Sequence, residues 1–504
     1  MGKFKRGSLN PPAQPPADVD GGNSPPPASC LIDRVAYIAD VTNASTATCN
    51  ATDNYNGRAV TIQVTFVVAD PPQVSYLCAH CIGSQFDYEP VLVATEGRLA
   101  LVAIEVGQFS SDRGRDHYIY HAGDASRGIR PLLTRLPKPD PVPHHLHRFY
   151  DGFHLGLLRR PRPQPQGGIF LRPHGGYRAE EEEEDVSFVV AGLFRKQEPS
   201  ATDHLFDLYL YSSDSNKWSI QELPLLLDQQ QQGGGFEYQK YATHKAISIG
   251  GEHGSMCFVD LWQGIFQCNV LDSTPVLHYY PMPPPLEPNP VTTVQTSPQA
   301  SRDVAVIDGG RRIKYVQLHL QVTMHRHGGV WGRVVPSYDG WKAATWSMDT
   351  AHPSSGWRQD SEVVHAAEAG RTVDPVLLQL PPHEFNDDQG LPLPQTFENH
   401  YTSLPVISLH DDGKDVVYFM TKVNYYHKAA LVIAVDMSNK TAQQGMQFLP
   451  GKLTESAFVH SRISKFLCMA PALAPRLNCK RKPETTLDDD TNGMDVPMND
   501  TVMM

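Results

Sequence analysis

KAISIGGEHGSMCFVDLWQGIFQCNVLDSTPVLHYYPM, residues 245–282, decides how this chain reads. Four short runs lie within it: KAISIGG, SMCFVDLW, GIFQCNVL and VLHYYPM. Each is rich in β-branched and aromatic residues and bounded by Gly, Asp, Ser or Pro, the signature of strands between tight turns. Four such strands in succession form the meander of a propeller blade. The inner stretch VDLWQGIFQCNVLD (259–272) holds an aspartate, a tryptophan and a cysteine, residue types that also build active sites. Read with period two, Val259, Leu261, Gln263 and Ile265 share one face and Asp260, Trp262 and Gly264 the other. Gln263-Gly264 then reads as the turn. Cys257 and Cys268 read as small core residues. Mutation of Trp262 is expected to lower stability before it alters binding.

The same rhythm runs outward along the chain. LFDLYLYSSDSNKWSIQELPL is a strand, an Asp-Ser-Asn turn and a second strand opening at Trp218. AVTIQVTFVV, RLALVAIEV, VSFVVAGLF, RIKYVQLHL, DVVYFMTKV and ALVIAVDM are further extended runs, and no long stretch repeats every 3.6 residues. In one of them Lys314, Val316, Leu318 and Leu320 alternate with Tyr315, Gln317 and His319. Roughly 20–24 strands at four per blade predict an all-β, β-propeller-like body of five or six blades.

Long polar segments frame this body. Residues 1–29 are rich in Pro and Gly and read as a disordered tail, and residues 471–504 as a disordered acidic tail, leaving a body at 30–470. PRPQPQGGIFLRPHGGYRAEEEEED (161–185), DQQQQGGG (228–235) and PMPPPLEPNPVTTVQTSPQASR (281–302) read as surface loops. The net charge is −12, from 43 basic and 55 acidic side chains, which argues against a nucleic-acid partner. No secretory leader or membrane-spanning run is evident, so the expected location is cytoplasmic or nuclear, with no membrane partner and mostly reduced cysteines. The sequons at Asn43, Asn50, Asn439 and Asn499 then read as chance matches.

Five pieces carry a family resemblance: PPQVSYLCAHC (71–81), YSSDSNKW (211–218), FVDLWQGIFQCNVLD (258–272), YDGWKAATWSMD (338–349) and PVISLHDDGKDVVYFMTKVNYYHKAALVIAVDM (405–437). In order and spacing they resemble the grass-expanded plant family of uncharacterised proteins known as domain of unknown function 1618. The resemblance spans most of residues 30–450, with the family domain at about 259–410. It implies no activity, cofactor or catalytic residue. YSSDSNKW also resembles kelch-type and F-box-associated propeller repeats, although LIDRVAYIADV (31–41) does not resemble an F-box.

Candidate sites are sparse. Cys78 and Cys81 form a CxxC, but no second cysteine pair completes a zinc site and the surroundings read as β rather than βαβ. His144, His145 and His147, with His154 nearby, could offer imidazoles to a metal but read as a solvated loop. Asp488, Asp490, Asn492 and Gly493 fit a calcium loop until its twelfth position, which is Asn499 instead of glutamate. His174-Gly175-Gly176 and His327-Gly328-Gly329 resemble oxyanion-hole sequences without a GxSxG nucleophile elbow. Trp331, Trp341, Trp346 and Trp357 read mainly as core. The acidic run Glu180–Asp185 reads as a solvated loop able to steer a basic partner, and the Lys-Arg-Lys at 480–482 as a weak import signal. No residue is assigned a catalytic, cofactor-binding or metal-binding role.

Three functions follow as expectations. The first is a non-enzymatic scaffold whose loops bind an unidentified protein partner. The second is a hydrolase or carbohydrate-active enzyme with acidic and histidine side chains converging in the central funnel. The third is a substrate-recognition subunit of a ubiquitin ligase.

Overall fold

The computed structural model describes residues 6–12, 26–107, 115–124, 127–140, 154–160, 187–196, 205–226, 236–287, 297–327, 333–371, 397–410, 414–425, 427, 429–448 and 458–467. The first group of strands is β1 (Cys30–Ile38), β2 (Ala47–Thr52), β3 (Ala59–Val67) and β4 (Val74–Ile82). The second is β5 (Val91–Glu96), β6 (Leu99–Ile104), β7 (Asp116–His121) and β8 (Leu132–Arg135). The third is β9 (Leu155–Arg159), β10 (Phe188–Arg195), β11 (Leu205–Ser212) and β12 (Lys217–Leu226). The fourth, over the stretch quoted at the start, is β13 (Lys245–Gly250), β14 (Ser255–Asp260), β15 (Gly264–Asn269) and β16 (Leu277–Pro281). The fifth is β17 (Arg302–Ile307), β18 (Arg312–His327), β19 (Arg333–Asp349), β20 (Arg358–Gln359) and β21 (Val364–His365). The sixth is β22 (Tyr401–Ile407), β23 (Val416–Lys422), β24 (Ala430–Asp436) and β25 (Thr441–Phe448), and the last strand is β26 (Phe458–Ser461).

Hydrogen bonding links these strands into sheets of nine, eight, five and four. The two large sheets are each a pair of meanders joined by a minimal bridge. β1 meets β5 only at Val35 and Val91. β12 meets β16 only at Leu225–Leu277 and Leu226–His278. Cut at those bridges, the strands form six blades. Blade 1 differs from the others. β1 runs parallel to β4, and β26 returns from the far end of the chain to pair antiparallel with β1, Cys30 opposite Ser461 through Asp33 opposite Phe458.

Six apolar layers lie between successive blades. Ile62 and Val64 pack with Leu92 and Val102 between blades 1 and 2. Leu101 and Ile119 meet Val190 and Tyr209 between blades 2 and 3. Phe206 and Leu208 meet Phe258 and Phe266 between blades 3 and 4. Cys257 and Val259 meet Tyr315 and Trp346 between blades 4 and 5. Val316 and Trp341 meet Phe419 and Ile433 between blades 5 and 6. Met420 and Val432 meet Leu31, Val74 and Phe458 between blades 6 and 1. The sixth layer closes the ring, so the body is an all-β propeller of six blades.

Burial on both sides explains the mixed patterning of the strands, since a strand between two neighbours needs apolar residues on both faces. β18 alternates as the sequence predicts: Val316, Leu318 and Leu320 point to blade 6, Ile313 and Tyr315 to blade 4. Lys314 shares the blade 6 side and is buried with Asp415 at 2.6 Å and Asp360 at 3.4 Å. Among the described residues the α-helical content is a single turn, Ala366–Gly370. No described helix is long and apolar enough to cross a membrane.

Two local readings change. The blade 4 hairpin turns at Leu261-Trp262-Gln263, because Asp260 pairs with Gly264. The Asp260 carboxylate accepts the Trp262 N–H at 2.9 Å and the Gln263 N–H at 3.3 Å, an Asx-type turn that moves the bend one residue earlier. Gly264 is therefore a strand residue. A Cβ there would lie 2.4 Å from the Tyr280 carbonyl oxygen, so close strand packing requires the glycine. Trp262 consequently sits on the turn and is 45% exposed.

Candidate functional site: the central channel

One strand of each blade lies at the centre of the ring: the first strand in blades 2 to 6, and β26 in blade 1. β26, β5, β9, β13, β17 and β22 contact one another in that order, and β22 returns to β26. They enclose a channel of about 470 Å³. Some of its polar side chains interrupt apolar strand sequences, as Arg34 does in LIDRVAYI and Asp303 in SRDVAVI.

These side chains tie blades together. Arg34, on β1, donates from Nε to the Leu92 carbonyl at 3.1 Å and from Nη2 to Val93 at 2.8 Å, linking blades 1 and 2. Burial lowers its pKa to about 10 against the opposing charge of Asp303, so it stays cationic at neutral pH. Glu96 accepts the Ser248 hydroxyl at 2.8 Å, bridging blades 2 and 4. Lys245 Nζ lies 2.7 Å from Asp303 Oδ1, joining blades 4 and 5. The other Asp303 oxygen accepts the Ile407 N–H at 3.2 Å and joins blades 5 and 6. Arg462 donates to the Leu409 carbonyl at 2.9 Å, between blades 6 and 1.

His460 completes that last junction. Its Nδ1 lies 3.0 Å from the Leu409 N–H and 3.2 Å from the Ile407 carbonyl oxygen, and its Nε2 lies 2.9 Å from Ser29 Oγ. Burial lowers its pKa to about 3, and the nearby His410, Arg462 and Lys245 act in the same direction. Glu96 moves the other way. Burial raises its carboxyl above the usual range, opposed by the Ser248 hydrogen bond and the charges of Arg159 and Arg462. His244 is lowered by burial, with Asp260 opposing.

A larger cavity of about 1240 Å³ lies between blades 2, 3 and 4, lined by residues such as Ile119, Leu136, Phe188 and Tyr211. Its rim carries the partly exposed Arg160–Asp214 pair at 3.1 Å. The inter-blade network of buried charges belongs to the central channel, which is therefore the stronger candidate.

The sequence candidates fall elsewhere. Cys78 and Cys81 lie on β4 and belong to different apolar clusters, as strand alternation requires of positions three apart. Burial raises the Cys81 thiol to about 11, so it is a thiol rather than a nucleophilic thiolate at neutral pH. Cys257 and Cys268 are fully buried in blade 4, and burial raises Cys268 to about 12. Trp341 and Trp346 are core residues, and Trp357 packs beside the latter with its indole N–H on the Pro281 carbonyl at 2.8 Å. His154 lies 6.1 Å from the Phe194 ring, and His327 ends β18. His144, His145, His147, His174, Trp331, Glu180–Asp185, the basic triplet at 480–482 and Asp488–Asn499 lie outside the described residues. Among those described, no group of three or more His, Cys, Asp or Glu is placed to hold a metal ion.

The class of protein defined by this geometry is an all-β, six-bladed propeller with a polar central channel. Residues 258–418 match the family model described as "Protein of unknown function (DUF1618)". No curated protein matches the chain. Among solved structures a levansucrase mutant from B. megaterium is similar at 10% identity, covering 84% of this chain and 94% of that one, with a TM-score of 0.28. A likeness at that score carries no argument.

Proposed function

We propose that the chain is a non-enzymatic interaction scaffold, a propeller whose loops hold a protein partner. The observation that supports this is how the channel spends its polar groups. Arg34, Asp303, His460 and Arg462 bind backbone groups of adjacent blades, and Lys245 binds Asp303. A general acid or base must be free to exchange a proton near the working pH. His460, held neutral and doubly engaged, and Asp303, engaged through both oxygens, instead serve the ring. The surplus of acidic side chains favours a protein partner over nucleic acid or an anionic membrane surface.

The test is capture of a partner by the purified full chain, with deletions inside 161–185, 228–235 and 288–296 as comparison. A partner held at micromolar concentration and lost on a loop deletion supports the scaffold. A folded chain that recruits nothing, or a capture indifferent to all three deletions, contradicts it. The enzyme reading keeps one supporting observation, the raised carboxyl of Glu96 inside the channel. It requires Glu96→Gln to abolish a measurable turnover while leaving the melting temperature in place.

A further inference from the structure

The channel inverts the charge of the molecule that surrounds it. Acidic side chains outnumber basic ones over the whole chain, 55 to 43. Among the described residues lining the channel, five are cationic (Arg34, Lys245, Arg302, Arg462 and Lys465) and two are carboxylates (Glu96 and Asp303). Chance distribution of the surface charge would favour the opposite sign. A concave site with low-dielectric walls focuses such a field and concentrates ions of the opposite charge.

The arrangement within the channel sharpens this. Asp303 pairs with Lys245 at 2.7 Å, so the other described lining charges are Arg34, Arg302, Arg462 and Lys465 against Glu96. Arg462 follows β26, and the exposed Lys465 lies three residues on. Glu96 ends β5 and senses the charges of both Arg462 and Arg159. Gly309 and Gly310, both with positive φ, line the channel without side chains to block it. The lining charges sum to a cationic excess, five basic side chains against two carboxylates. An anion entering the cavity would compensate that charge. The volume of about 470 Å³ lies within the range of small-molecule sites, roughly 300–1,000 Å³.

We propose that the central channel binds a small polyanion, a metabolite with two or more phosphate or carboxylate groups, seated against Arg462 and Lys465. The proposal goes beyond the scaffold reading and does not depend on it. A ligand in the channel would bind the inner strands of several blades at once and lock the ring.

Thermal melting and titration calorimetry on the full chain test this, with pyrophosphate and citrate as probes. Glucose serves as the neutral comparison, and sodium chloride holds ionic strength constant. The two anions separate phosphate from carboxylate recognition. The expected result is a saturable rise in Tm of about 3 °C at a hundredfold excess over Kd for at least one anion and none for glucose. Lys465→Gln, at an exposed position, should weaken that anion about tenfold without lowering the unliganded Tm. Arg462→Gln should weaken it further, and its effect on folding is read separately from the unliganded melt. The proposal is overturned if neither anion raises Tm above the chloride control at millimolar concentration. It is also overturned if the anion binds Lys465→Gln and Arg462→Gln as tightly as it binds the parent chain.

Discussion

Trp262 shows how one residue changes meaning between sequence and structure. Its ring is 45% exposed and stacks under the Arg302 guanidinium at 4.5 Å, while Trp341 is buried against Phe419 at 5.2 Å. Trp262→Ala should therefore cost only about 1 kcal/mol of folding stability, and Trp341→Ala about 3–5 kcal/mol, in urea unfolding. Equal losses would contradict the assigned places. Gly264→Ala should cost roughly 1–3 kcal/mol by the same measurement, because the new methyl meets the Tyr280 carbonyl. The alternation rule marked this hairpin correctly as sheet and misplaced its turn by one residue, since the Asp260 side chain decides the bend.

His460 gives the residue scale its pH dependence. Its folded pKa, about 3, lies below the ordinary histidine value of 6.5, and His117 is lowered to about 4 by burial. Between those values and 6.5 the unfolded chain binds more protons, so stability is complete above about pH 6.5 and falls as pH drops toward 3. Glu96, raised by burial, contributes the opposite slope, favouring the fold below its unfolded pKa and losing that benefit as pH rises through its folded pKa. Burial lowers four histidines (His117, His244, His319 and His460) and raises two carboxyls (Glu96 and Glu105), so unfolding free energy should drop from pH 7 to pH 4. His460→Gln should flatten that drop; an unchanged slope would mean that His460 is not buried as described.

At the scale of elements, the local hairpins were legible and the long-range pairings were not. The β11–β12 hairpin was readable because its turn residues announce it, with Asn216 at φ 52. β18 was marked as a strand by its alternation over 314–320, although both faces are buried. By contrast, the parallel pairing of β1 with β4 and the return of β26 to β1 join segments whose partners no local pattern names. The same holds for the channel. Arg34, Glu96, Lys245, Asp303 and His460 stand far apart in the chain, and the only local sign was a charge inside an apolar strand, as in LIDRV. Deletion of residues 458–467 removes the closing strand. It should lower the melting temperature sharply and expose apolar surface to a hydrophobic dye, while deletion of 471–504 should leave melting unchanged.

The whole molecule rests on closure. Composition and strand spacing identified an all-β, propeller-like body, and six inter-blade layers account for its two-sided burial. Its channel side chains act as ties between blades, which gives the loops proposed to hold a partner a rigid frame. Ring closure is most directly measured by cross-linking β1 to β26. Ile32 and Val459 lie directly opposite one another in that pair. In an Ile32→Cys, Val459→Cys double variant, a closed six-bladed ring should form the disulfide under mild oxidation in the native state. The product should migrate as a compact looped chain on non-reducing gels and melt at a higher temperature. Two thiols that both stay free and reactive in the folded protein would contradict the closed ring and the channel within it.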